Sequence, residues 1–161
     1  MSLTEVSSIL WRERELLELL QFKLEEEQLL LAAGKTRWLS HATREVEMVL
    51  EQIRRAELGR AVEVEGIAVA LGLPDNPSLR ELAEAAPAPW GQILNDHRAA
   101  FLAASQEIAA LAQANKDLLS TGYRSARETL LSLSEPEVAI YDTTGRAEQR
   151  MRGPRLLNEA I

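Results

Sequence analysis

The hydrophobic positions in the first part of the chain recur every three or four residues, the spacing of one face of an α-helix. Gly34 follows this stripe and is a natural helix stop, because glycine adopts the left-handed backbone of a helix end without steric cost. The pattern restarts at Leu39 after the short link AAGKT. Two long amphipathic helices joined by so short a link are expected to pair as an antiparallel hairpin. The first stripe comprises Leu3, Val6, Leu10, Leu17, Leu20, Leu24 and Leu31.

The prolines divide the chain into helix-permissive blocks. All six lie between residues 74 and 89 or between residues 136 and 154. Because proline removes an amide donor and clashes with the preceding helical turn, long helices are expected before and between these two regions. Within the first region, Ser78 and Glu81 have the spacing of a capping box, which predicts a short connecting helix.

A third apolar stripe runs through the block between the proline regions, from Leu94 past Ile108 to Leu133. We therefore expect an all-α protein, an elongated antiparallel helical bundle or coiled coil of three long helices with a short connector. The bundle should occupy residues 1–135, followed at 136–161 by an extended or partly disordered C-terminal tail. The expected helices cover about 4–33, 37–71, 79–86 and 90–133.

The third long helix is expected to exceed both of its partners. At about 1.5 Å per residue it measures roughly 60 Å, so its C-terminal part should extend past the hairpin tip near Gly34. An apolar stripe on such an overhang needs a partner to bury it, either a second copy of the chain or another protein.

The stretch VAIYDTTG, residues 138–145, differs from everything before it. Pro136 closes the last helix, and a β-branched and aromatic run with a Thr-Thr-Gly turn follows. Tyr141 in an extended tail would be a reachable anchor for a partner, since tyrosine offers a large contact area and a hydroxyl at low entropic cost. The alternative is that Tyr141 folds back onto the bundle.

Composition narrows the classes of function. The chain has no cysteine and a formal net charge of −7. An acidic chain without a basic face is not expected to bind nucleic acid or anionic membranes. The N-terminal sequence lacks the pattern of a secretory signal, and no apolar run approaches the roughly 20 residues of a membrane span. We therefore expect a soluble, cytoplasmic protein that inserts into no membrane.

No constellation of residues indicates catalysis. His41 and His97 are the only histidines, and neither has the glutamate three positions earlier that a carboxylate-bridged metal site in a bundle requires. Phosphate-binding and nucleophile motifs are missing from the sequence. We expect no enzyme activity, no metal and no cofactor.

Asn115 interrupts the third stripe between Leu111 and Leu118. One interpretation is a buried polar residue that sets helix register, as in coiled coils. The other is that this face is open to a partner and that Asn115 forms a hydrogen bond across it. The sequence alone leaves both interpretations standing.

The segments NKDLLSTGYRSARETLLSL and YDTTG resemble the FlgN family of flagellar export chaperones. In that family a long amphipathic helix carries an Asn-x-x-Leu-Leu segment and an apolar stripe, followed by a Tyr-x-x-x-Gly signature in an extended tail. The order of helices over about residues 3–145 is also similar. The matching positions are Asn115, Leu118, Leu119 and Tyr123, followed by Tyr141 and Gly145.

The resemblance implies a non-enzymatic chaperone that binds the amphipathic terminal helices of hook-associated proteins, which form the hook–filament junction. Such a chaperone prevents premature assembly and presents its cargo to the flagellar export gate. Tyr141 and Gly145 are then candidates for docking to the gate or another partner. The candidate cargo-binding residues are Asn115, Leu118, Leu119, Tyr123, Ala126 and Leu130.

Two other functions use the same apolar surface. A self-associating helical scaffold or adaptor would bury the overhang in a homodimer. A chaperone of a non-flagellar secretion system would differ only in its cargo. The Tyr-x-x-x-Gly resemblance is the one sequence feature that favours the flagellar system.

Overall fold

The computed structural model of the protein describes residues 2–133. This part of the chain contains four helices and no strand, so the expected all-α fold is confirmed. The expected tail, 136–161, lies outside the described residues. The helices are α1 (Leu3–Ala32), α2 (Thr36–Ala68), α3 (Leu79–Ala85) and α4 (Trp90–Leu133).

Local sequence signals account for the helix ends. At the tip between α1 and α2, Gly34 has φ of +66°, the left-handed conformation that glycine adopts most easily. Gly72 is likewise left-handed, and α2 ends at Ala68, earlier than the expected residue 71. The capping box of α3 is present: the Ser78 side chain accepts from the Glu81 amide, and the Glu81 carboxylate accepts from the Ser78 amide at 2.8 Å.

α1 and α2 form the expected antiparallel hairpin. Lys23 Nζ lies 3.0 Å from a Glu45 carboxylate oxygen near the tip, and Thr43 Oγ1 donates to Glu27 at 3.1 Å. Near the open end, Arg60 of α2 pairs with Glu13 of α1 at 3.3 Å. Residue numbers thus rise along one helix as they fall along the other.

α4 lies against α1 and runs parallel to it. Ser7 Oγ and His97 Nε2 are 3.3 Å apart at one end, and the Asn115 amide donates to the Leu24 carbonyl at 2.9 Å further along. α3 packs on α4 and covers its N-terminal part. α1 is therefore the central helix, in contact with both α2 and α4.

The core is aliphatic and forms a continuous line along the bundle. Burying each such side chain fully contributes roughly 1.5–3 kcal/mol relative to leaving it in water. Most of the stabilisation therefore comes from the packed faces, since the ion pairs between exposed side chains contribute little. The most deeply buried hydrophobic residues are Val6, Leu10, Leu17, Leu20, Leu82, Leu94 and Ile108.

Candidate binding surface on the fourth helix

One apolar face extends along the whole of α4, in steps of three or four residues. Its first half is core: Leu94, Phe101 and Ile108 are at most 3% exposed. The steps continue from Asn115 through Leu119 to the end of the helix without a change of phase. The face that packs against the hairpin is therefore the same face that continues beyond it.

The contacts of Asn115 show where the cover of this face ends. Asn115 lies beside Leu24 and Glu27 of α1, and α1 ends at Ala32. Since parallel helices rise equally, the end of α1 is level with about residue 123 of α4. α4 continues to Leu133, so about 15 Å of helix extends past its partner. The expected overhang is present.

Every residue from 116 to 133 is exposed, although the apolar spacing persists. Leu119 is 48% exposed, Tyr123 72% and Leu130 69%. Ala126 lies between them on the same face, and Leu133, outside the expected set, continues it. The periodicity of the sequence already contained this signal for Leu133. We call the surface formed by Leu119, Tyr123, Ala126, Leu130 and Leu133 the overhang seam.

Two of the expected cargo-binding residues, Leu118 and Asn115, are not part of the overhang seam. Leu118 is 36% exposed and lies to one side of the overhang seam, because it is one residue out of step with Leu119. Asn115 is only 4% exposed, beneath the start of the seam. Tyr141 and Gly145 lie outside the described residues.

Asn115 is the centre of a buried polar network that joins the three long helices. Its side-chain amide donates to the Leu24 carbonyl at 2.9 Å and to Glu27 Oε1 at 3.1 Å. Thr43 of α2 donates to the other carboxylate oxygen of Glu27. These bonds hold α4 at one axial position relative to α1, so the contacts support the register interpretation of Asn115.

A second buried polar group lies near the open end of the hairpin. Glu13 is 3% exposed, and Arg60 lies 3.3 Å away with its guanidinium 5.8 Å from the Phe101 ring centroid. Neither carboxylate oxygen of Glu13 accepts a hydrogen bond from any described residue. Burial therefore outweighs the opposing charge of Arg60 and raises the pKa of Glu13 to about 7.

His97 packs inside the bundle, as a helix-stripe histidine is expected to. Its ring meets Trp11 edge to face at 5.0 Å between centroids, and Ser7 lies beside its Nε2. Burial lowers the pKa of His97, which favours the neutral ring. Within residues 2–133, no three histidine or acidic side chains are close enough together to hold a metal ion.

None of the four helices described has the length and apolar character needed to cross a membrane.

Comparison with known proteins agrees with this architecture at the level of the family. No curated protein and no solved structure matches the chain. The family model described as FlgN protein matches residues 1–149, nearly the whole chain. Its match covers all four helices and the overhang seam, and the protein therefore belongs to the FlgN family of flagellar export chaperones.

Proposed function

We propose that the overhang seam holds the amphipathic terminal helices of hook-associated proteins in the cytoplasm before export. The observation that carries this proposal is the continuation of a core-type helix face for about 15 Å beyond the end of α1. On this face Leu119 is half-exposed, Tyr123 is 72% exposed and Leu130 is 69% exposed. A helix of the cargo would pack on this part of α4 in the way that α1 packs on its N-terminal part.

The physical basis of the proposal is that the chaperone and its cargo each expose an apolar helix face. A terminal segment of a junction protein is amphipathic and has no partner for its apolar face until the protein polymerises. Docking a helix along the seam is the helix-in-groove mode of recognition, read through residues three and four apart. Masking this segment prevents early assembly, and the free energy spent on ordering it keeps the complex releasable.

Asn115 acts in this proposal as a positioning residue. Its hydrogen bonds to Leu24 and Glu27 set how far α4 extends past α1, and hence how much of the seam is free. Leu118, at the side of the seam, would contact the edge of a bound helix.

Delivery to the export gate is assigned to Tyr141 and Gly145, on the basis of their Tyr-x-x-x-Gly spacing. In this proposal the helices hold the cargo while the C-terminal segment contacts the gate, so that both partners can be bound at once.

Substitution of the seam tests the cargo proposal. Leu119→Asp and Tyr123→Asp are expected to abolish capture of junction proteins from the cytosol of the source cell, with an unchanged helical circular-dichroism spectrum. Leu58→Asp on α2 is the matched control, because Leu58 is 70% exposed on another helix. Capture that persists in both folded seam variants would exclude this surface.

A chain ending at Leu133 separates the two partners. It is expected to retain the junction proteins and to lose any component of the export gate. Tyr141→Ala in the full chain should likewise keep cargo affinity while lowering export of the junction proteins. Normal export by this variant would remove the role assigned to Tyr141.

A further inference from the structure

The outer face of α1 carries a second exposed stripe that neither the bundle nor the cargo proposal uses. Glu18, Phe22, Glu25 and Leu29 follow one another at intervals of four, three and four residues, so they line one side of the helix. We call these four residues the α1 outer face. Phe22 is 56% exposed and Leu29 70% exposed, on the side of α1 turned away from its buried leucines.

The charges on the α1 outer face are not neutralised. No ion pair to Glu18 or Glu25 is present within residues 2–133. Lys23, the nearest base to Glu25, is held by Glu26 and Glu45 at 3.1 and 3.0 Å. Arg14, the nearest base to Glu18, lies over the Trp11 ring at 4.3 Å. The stripe therefore combines large apolar side chains with unpaired carboxylates, which suits an occupant that alternates arginine with apolar residues.

The last part of the chain has this composition. Residues 146–161, RAEQRMRGPRLLNEAI, contain four arginines against two glutamates, together with Met151, Leu156, Leu157 and Ile161. The family match ends at residue 149, so most of this segment lies beyond the matched residues.

Charge selects the α1 outer face over the overhang seam as the docking place for this segment. The overhang seam itself has no charged residue, and the rest of residues 116–133 carries Lys116, Arg124 and Arg127 against Asp117 and Glu128, an excess of one positive charge. The α1 outer face carries two glutamates, Glu18 and Glu25, and no basic residue. Opposite charges on the two surfaces favour this pairing, and like charges disfavour the other.

The chain is long enough for the contact to form within one molecule. Leu29 is level with about residue 120 of α4, so it lies roughly 20 Å along the axis from Leu133. Residues 134–145 span up to about 40 Å when extended. We propose that residues 146–161 dock in cis on the α1 outer face, which ties both ends of the Tyr141 segment to the bundle. This inference does not rest on the cargo proposal.

A spin label tests the proposal in the full chain, which has no native cysteine to interfere. With a nitroxide on Asn158→Cys, relaxation enhancement of amide protons is expected to peak at Phe22–Leu29. An undocked segment would instead produce a maximum at Leu133 that decays along α4, and this result would overturn the proposal.

Charge variants separate docking from simple proximity. Glu18→Lys combined with Glu25→Lys should lower the equilibrium constant for docking about fivefold, as expected for the loss of two moderately exposed charge pairs, and so reduce the enhancement at Phe22. Glu47→Lys combined with Glu65→Lys, the same charge change on exposed positions of α2, should leave it unchanged. Adding Arg150→Glu and Arg152→Glu to the first variant should restore it.

The identity of the occupant is tested by mixing chains. Isotope-labelled chain without the nitroxide is combined with nitroxide-labelled chain that carries no isotope, so that only contacts between molecules are seen. No relaxation enhancement in this mixture is the expected result. Enhancement at Phe22 in the mixture would assign the α1 outer face to a second copy and overturn docking in cis.

Discussion

At the scale of single residues, two buried polar groups decide how the three long helices fit together. Asn115 and Glu27 sit where α1, α2 and α4 meet. Their hydrogen bonds satisfy the Asn115 amide nitrogen and both Glu27 carboxylate oxygens, whereas the Asn115 side-chain oxygen has no hydrogen-bond partner within residues 2–133. Glu13 is the contrasting case, since its charge is opposed by Arg60 but its oxygens accept no hydrogen bond from the described residues. The two groups therefore respond differently to substitution and to pH.

Asn115→Ala is expected to lower the free energy of unfolding by about 2 kcal/mol, because Glu27 stays buried after losing a donor. Urea denaturation monitored by circular dichroism measures this change. Gln113→Ala is the control, since Gln113 is exposed and, within residues 2–133, its side chain bonds to Asp117 on the same helix. A loss for Asn115→Ala no larger than that of the control would show that the network does not set the register.

The raised pKa of Glu13 predicts a stability that falls as the pH rises. The folded state holds the proton up to a pKa of about 7, whereas the unfolded carboxyl has a model value of 4.5. Between these values the folded state binds more protons, so its stability is greatest below the unfolded pKa and decreases through the folded one. Glu57, whose pKa burial also raises, acts in the same direction.

Glu13→Gln removes this titration and keeps the shape of the side chain. Relative to the variant, the wild type should lose up to about 1.4 kcal/mol of unfolding free energy per pH unit between pH 5 and 7. Denaturation curves at several pH values measure the difference in slope, and the contribution of Glu57 cancels. Parallel curves for the two proteins would contradict the buried, protonatable state of Glu13.

At the scale of elements, α4 presents one face to two environments. Ile108 is 2% exposed against the hairpin, and Leu119, eleven residues later on the same face, is 48% exposed. The residues are chemically similar, so their difference in energetic role follows from how much of each side chain the neighbouring helices cover. This is the property that makes the overhang available to a partner.

Truncating both side chains tests this division. Ile108→Ala is expected to cost about 2–5 kcal/mol of unfolding free energy, from lost burial and the cavity left behind. Leu119→Ala should cost less than about 0.5 kcal/mol, as exposed substitutions do. Urea denaturation of the two variants at equal concentration compares them. A large cost for Leu119→Ala would mean that the seam is already covered in the free protein.

At the scale of the whole molecule, the bundle formed by residues 2–133 is elongated, and the C-terminal end of α4 extends past the other helices. The hairpin and α3 cover the first part of α4, and its last turns extend beyond any described neighbour. A chaperone that keeps this end free for cargo and a scaffold that pairs it with a second copy differ in their oligomeric state.

Light scattering should therefore find the mass of one chain at micromolar concentration, and the mass of a one-to-one complex after a junction protein is added. The seam is then free until cargo binds. A tight dimer that Leu119→Asp dissociates would favour the self-associating scaffold instead. Leu58→Asp again provides the control for a general effect of an added charge.

The sequence by itself determined the elements of this protein. Apolar spacing, the two proline regions and the left-handed glycines mark where helices run and stop, because these are local properties of the backbone and of neighbouring side chains. Local spacing also identified the capping box of α3 and carried the apolar face of α4 to its last turn. The apolar residues of the overhang seam could therefore be predicted from the sequence.

Only the tertiary structure decided which part of that pattern is covered. The axial offset of α4 against α1 depends on contacts about ninety residues apart in sequence, such as Asn115 with Leu24, and no local spacing encodes it. The same offset places Asn115 inside and Leu130 outside, although both continue one stripe. Glu13 is buried because neighbouring helices pack against it, and the α1 outer face is exposed because neither α2 nor α4 packs against that side of α1. Periodicity defines a face, and the length and position of its neighbours determine whether it becomes core or binding surface.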